Sequence, residues 1–204
     1  MNSVTYYPAV AEDDGFWLEG FLANFTVIFG SIYDDVAYPC NAFIRLVCPE
    51  GSDPVPPGAS VTKCILRVYS LGDDSWIGEV CNASIHFVDI GNAIAPTTDV
   101  EADELVLTLA AVPWLGLDGW RNQVQYESPD LKIPFQSVVN RGDFELGSAV
   151  IVVIRNNGSD ESGFVQISDR LEGTMYRAEL YIEWEEEGPG PEPVSFKPQV
   201  IMIL

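Results

Sequence analysis

MYRAELYIEW, residues 175–184, sorts its side chains into two unlike sets. Tyr176, Ala178, Leu180, Ile182 and Trp184 fall on one side, and Arg177, Glu179, Tyr181 and Glu183 on the other. A period of two belongs to an extended chain, whose successive side chains point to opposite faces; a helix would scatter the same residues around its axis. The stretch predicts a strand with one face in a core and the other toward water.

The same habit spreads along the chain. VTKCILRVY (61–69) sets Cys64, Leu66 and Val68 against Lys63 and Arg67. CNASIHFVDI (81–90) sets Ala83, Ile85 and Phe87 against Ser84, His86 and Val88. Shorter strands are expected at NFTVIFG (24–30), NAFIRLV (41–47), VQY (124–126) and GFVQISD (163–169). SAVIVVIRN (148–156) is apolar almost throughout, as a central strand covered on both faces would be. ELVLTLAAVPWL (104–115) predicts a strand that stops before Pro113, which has no N–H for a ladder. Turn residues punctuate the runs: Asp13-Asp14-Gly15, the Pro- and Gly-rich 49–60, and Asn157-Gly158 within 155–163. The pattern predicts an all-β antiparallel β-sandwich.

One segment breaks the rule. In LKIPFQSVVNRGD (131–143) Phe135, Val138 and Val139 share a helical face, so a single short helix is expected near 134–141. Pro134 suits its first position, Gly142 a left-handed stop, and Arg141 the negative end of the helix dipole. Such a helix would plug an open end of the sandwich.

Composition narrows function. The 204 residues carry a formal charge of −21. Such a surface repels phosphate, which argues against nucleic acid and against an anionic membrane face. The opening MNSVTYYPAVAEDD has neither a basic n-region nor an apolar h-region, so a secretory leader is not expected. No apolar run reaches the roughly 18 residues of a transmembrane helix.

Chemistry-bearing motifs are sparse. No dinucleotide, Walker, HExxH or GxSxG pattern occurs. The single His86 sits mid-strand, where a structural role is expected. Four cysteines, at 40, 48, 64 and 81, include no Cys-x-x-Cys pair, which disfavours zinc. If 41–47 is a strand, Cys40 and Cys48 lie roughly 25 Å apart, beyond the reach of a disulfide. Free buried thiols and one or two disulfides both remain open. Carboxylates pair at Asp13/Asp14, Asp34/Asp35, Asp73/Asp74, Asp103/Glu104 and Asp160/Glu161, mostly in turns. No cofactor is expected; calcium in one of these turns is the candidate ion, since hard oxygen ligands gather there. Trp114 and Trp120 flank a Gly-rich loop and are candidates for stacking on a sugar, against the alternative of core or rim packing.

The chain divides into a sandwich over 1–184, an acidic Pro/Gly linker over 185–193, and an apolar segment over 194–204. An exposed apolar segment is unfavourable. Val194, Phe196, Val200, Ile201, Ile203 and Leu204 are therefore candidates for partner binding, unless the segment is the sandwich's own last strand.

The order of the pieces carries a resemblance. PPGASVTKCILRV (56–68), ASIHFVDIGNA (83–93), YESPDLKIPFQSVVNRGDFELGSAVIVVI (126–154) and RAELYIEW (177–184) follow one another in a sequence that resembles the DNRLRE-like jelly-roll modules. The version recurring in virion structural proteins of tailed phages and related viruses is the nearest in pattern. Cys64 stands where a small Ala is usual, and Arg45-Leu46 replaces Arg-Phe. The resemblance implies a jelly-roll-like sandwich in a virion component assembled in the host cytoplasm. It implies a capsid decoration or accessory protein, less readily a tail or fibre part, that binds the major capsid protein or copies of itself. It carries no catalytic residue. The alternative is a carbohydrate-binding or host-receptor-binding module.

Overall fold

The computed structural model describes residues 1–24, 26–34, 36–71, 79–168 and 176–185. The strands are β1 (Asn2–Tyr6), β2 (Asp14–Leu18), β3 (Phe21–Ala23), β4 (Val27–Asp34), β5 (Val36–Leu46), β6 (Ser60–Tyr69), β7 (Cys81–Phe87), β8 (Val112–Leu117), β9 (Gln125–Glu127), β10 (Val150–Asn156), β11 (Phe164–Ile167) and β12 (Glu179–Glu185). Two helices join them, α1 (Asp99–Asp103) and α2 (Lys132–Val139).

They form an antiparallel β-sandwich. One sheet runs β1-β12-β6-β9; the other runs β11-β4-β5-β10-β7-β8, with β2 also on β5 and β3 on β2. From β5 onward the chain passes repeatedly between the sheets, the jelly-roll-like habit expected. The alternating strands face as predicted: Cys64, Leu66 and Val68 on β6, Ala83, Ile85 and Phe87 on β7, and Leu180, Ile182 and Trp184 on β12 all enter the main core. Tyr176 precedes β12 and meets Tyr69 edge-on, with ring centroids 5.5 Å apart.

β10 is covered on both faces, as its unbroken apolar run implies. Val150, Val152 and Ile154 point into the core between the sheets. Ile151 and Val153 join Trp17, Phe43, Val88, Ala93 and Ala102 in a second, smaller core on the outer side. That outer core is roofed by the β2–β3 hairpin and by residues 88–107. The expected strand over 104–115 is not formed there. Instead β8 runs through Pro113, which sits opposite Ser84 on an edge strand. An edge strand tolerates proline because one side of its ladder is unused.

Helix α2 starts two residues earlier than expected, with Pro134 third rather than first. The place suits proline equally, since the first four amides of a helix have no partner within it. Gly142 does not adopt the left-handed stop; Asn140 closes the helix in a right-handed conformation. Arg141 lies beyond the last turn and bridges Asp89 (2.7 Å) and Asp143 (2.7 Å). Phe135, Val138 and Val139 are buried in the main core, the plug expected of them.

The segment carrying α2 also finishes an edge. β9 is short, so the rest of β6 would be left open. Ser128 N–H donates to Leu66 O, and Leu131 N–H to Cys64 O. Asp130 accepts from Cys64 N–H at 3.0 Å, and Gln136 accepts from Val61 N–H at 2.7 Å while donating to Ala59 O. Side chains thus replace a missing strand and satisfy backbone groups that burial would otherwise orphan.

Candidate functional sites

The Trp-rich loop turns inward. Trp114 is 6% exposed, with Phe29 on one side at 6.0 Å and Trp120 on the other at 5.4 Å. Trp120 is partly exposed, and Tyr126 lies flat against it at 4.0 Å and 7°. The two tryptophans do meet, but as a wall of the core: β8 pairs with β7 through Trp114 opposite Ala83, an inward position. Stacking on a sugar would need an open ring face, and Trp114 has none.

The acidic turns are used by the fold. Asp13, 2% exposed, accepts from Ala9 and Val10 N–H and pairs with Arg45 at 2.9 Å. The expected turn there is a single 3-10 turn followed at once by β2. Asp103 accepts from Trp17 Nε1 at 2.8 Å, tying α1 to the outer core; Asp160 accepts from Val80 N–H at 2.8 Å. Among the described residues no three His, Cys, Asp or Glu side chains gather as a cation would need. Asp73, Asp74 and Asp35 lie outside the described residues, as do Val194, Phe196, Val200, Ile201, Ile203 and Leu204.

All four cysteines are free thiols, Cys40, Cys64 and Cys81 buried and Cys48 partly so. Burial pushes Cys40 up to about 11 and Cys81 up to about 12, which keeps both protonated and unreactive at neutral pH. Cys81 sits where Gly30, at φ +114, leaves room for its sulfur.

Two surface features remain. The first is an apolar strip. Ile90, Ile94, Val106, Leu109 and Leu115 are all exposed, Leu109 fully. Asp89 N–H donates to Val106 O at 2.7 Å, Leu107 bridges Val88, and Ala93 N–H donates to Ala149 O, so the segment is pinned to the outer side of the large sheet. Beneath it, Ala93, Ala102, Leu105 and Leu107 belong to the outer core. Residues 87–120 contain six acidic side chains and no Lys, Arg or His.

The second is a polar island on that sheet face. Ser84 and His86, two apart on β7, share the outward side, and Ser84 Oγ lies 3.3 Å from His86 Nε2. His86 Nδ1 lies 3.4 Å from Thr108 O. A carbonyl can only accept, so Nδ1 carries the proton and Nε2 is left to accept from the serine hydroxyl. Burial, and the neighbouring Arg155 cation, lower the His86 pKa against the opposing pull of Thr108, so the ring is neutral at pH 7. Arg155 stands opposite Ser84 on β10. Sequence reading missed Arg155; the Ser84–His86 pair was legible, since positions i and i+2 of a strand share a face. Serine, neutral imidazole and a carbonyl resemble the first members of a nucleophilic relay, but the third place holds a carbonyl and not a carboxylate.

No family model matches the chain, and no curated protein matches it.

Proposed function

We propose that this protein is a non-enzymatic structural component of a virus particle, a capsid decoration or accessory protein that binds other virion proteins such as the major capsid protein. The observation that supports this reading is the apolar strip on an otherwise acidic sandwich. Exposed Ile90, Ile94, Val106 and Leu109 lie on one segment held over the outer side of the large sheet, and apolar side chains exposed in this way suit protein contact. The order of motifs, which resembles that of jelly-roll virion modules, supports as the setting a particle assembled in the host cytoplasm with copies side by side. A charge of −21 keeps such copies from adhering indiscriminately. The apolar segment 194–204, outside the described residues, is proposed as a second contact, an arm for a neighbouring subunit, with a last strand of the sandwich as the alternative.

Mass spectrometry of purified particles tests the setting, and a particle fraction without this chain refutes it. Leu109→Asp and Ile94→Asp test the contact. Each should lower incorporation into particles while the isolated domain melts within about 2 °C of wild type, since exposed sites contribute little to stability. The rival reading, a carbohydrate-binding module, loses one of its two rings with Trp114 buried.

A further inference from the structure

Among the described residues, Arg155 is out of keeping with the other basic side chains. Arg45, Arg67 and Arg141 are ion-paired, Lys132 lies 4.0 Å from Asp130, and Lys63 and Arg177 lie over tyrosine rings. Arg121 is exposed. Arg155 is partly buried, its Nε is sealed from solvent, and that nitrogen has no hydrogen-bond partner. In a chain with 31 acidic residues, leaving a half-buried guanidinium unpaired requires a reason.

Its surroundings supply one. Ser84 is its cross-strand partner, and His86 is Ser84's neighbour on the same face. On the other flank, Asn41 lies one residue on from the Ile154–Ala42 pair and accepts from Asn156 N–H. The register thus sets a hydroxyl, a neutral imidazole and an amide on the strands beside Arg155. The Ser84–His86 bond, at 3.3 Å, is long for an O–H donor, so the hydroxyl can turn to a better acceptor at small cost.

We infer that Arg155 and Ser84 form a binding site for a carboxylate, beside His86 on the outer face of the large sheet. A planar carboxylate can accept from the two terminal nitrogens of the guanidinium, Nε being sealed, and takes the serine hydroxyl as a third donor. A singly charged group suits the site better than a phosphate, because the remainder of the surface repels multiple negative charge. The site is independent of the proposed virion role and stands or fails without it.

His86 is the only histidine, so its ring proton signals report the site without ambiguity. Sodium acetate is titrated into the protein, with sodium chloride at matched ionic strength and sodium phosphate as the comparison arms. Acetate should move the His86 resonances saturably and raise the His86 pKa, since a bound anion offsets the Arg155 cation. Chloride should not. Arg155→Gln should abolish the acetate response, and Ser84→Ala should weaken it about fivefold, the loss of one hydrogen bond. If Arg155→Gln does not fold, Arg155→Lys, which keeps the charge but loses the fork, should show weakened binding instead. A response to phosphate alone, an acetate shift unchanged in the Arg155 variant, or no acetate shift overturns the site.

Discussion

Arg45 and Asp13 show how a charge is kept inside this fold. Asp13 holds two backbone N–H groups and one guanidinium nitrogen, and Arg45 reaches on to Ala93 O at 2.8 Å, so one pair ties the chain start to the outer roof. Arg45→Met should cost about 1.5–3 kcal/mol in urea unfolding, the range for a hydrogen bond to a charged group. His86 gives a pH signature. Its pKa is lowered by burial from its ordinary 6.5, so the folded state disfavours the charged ring. The stability it contributes is therefore present above about pH 6.5 and is lost as the pH falls below that toward the folded value. His86→Gln should remove this slope, seen as a melting temperature that falls less than wild type's over that acid window. The thiols make a simpler case. A thiol reagent should label at most Cys48 in the native protein and all four cysteines in denaturant; rapid native labelling of Cys40, Cys64 or Cys81 would contradict their burial. The inward setting of Cys64 was legible because Leu66 and Val68 share its parity. Arg155 was not, because nothing in a sequence tells which arginine lacks a carboxylate across the sheet.

At the scale of elements, α2 and its approach act as a substitute strand. Gln136 bonds both Val61 N–H and Ala59 O, so its amide does the work of a neighbouring backbone. Gln136→Ala should cost about 1–2 kcal/mol, with faster hydrogen exchange at Val61, whose N–H loses its acceptor. Phe135→Ala should cost more, about 3–5 kcal/mol, because it opens a cavity between the sheets against Phe87, 5.3 Å away. The existence of this helix was readable from its apolar spacing. Its edge-covering role was not, because that depends on β9 being only three residues long. The strand expected over 104–115 failed for a related reason: its apolar residues serve two layers, Leu105 and Leu107 inward to the outer core and Val106 and Leu109 outward to solvent. Alternation holds over 105–107 and breaks at Leu109, which shares the parity of Leu107 yet faces solvent, with Thr108 buried between them.

For the whole molecule, charge sets the conditions. With −21 on 204 residues, self-repulsion opposes the compact state and weakens as salt screens it. Melting temperature should rise between about 10 mM and 0.5 M sodium chloride, as the Debye length shrinks from roughly 30 Å to a few Å. A fall would mean that attractive surface pairs outweigh the net charge. Deleting 194–204 separates two readings of that segment: loss of assembly with an unchanged melting temperature makes it an intersubunit arm, whereas a collapse in melting temperature makes it an internal strand. The sandwich itself was legible from parity alone; the split into two cores was not, since it needs to be known which loops fold back over the large sheet. Finally, β1 lies against β12, the last of the described strands, Asn2 beside Trp184 and Tyr6 beside Leu180. β1 therefore stays without this mate until β12, far along the chain, has been made. Pairing between segments so far apart in sequence favours slow closure, and until it happens the alternating face of β1 is open to mispairing.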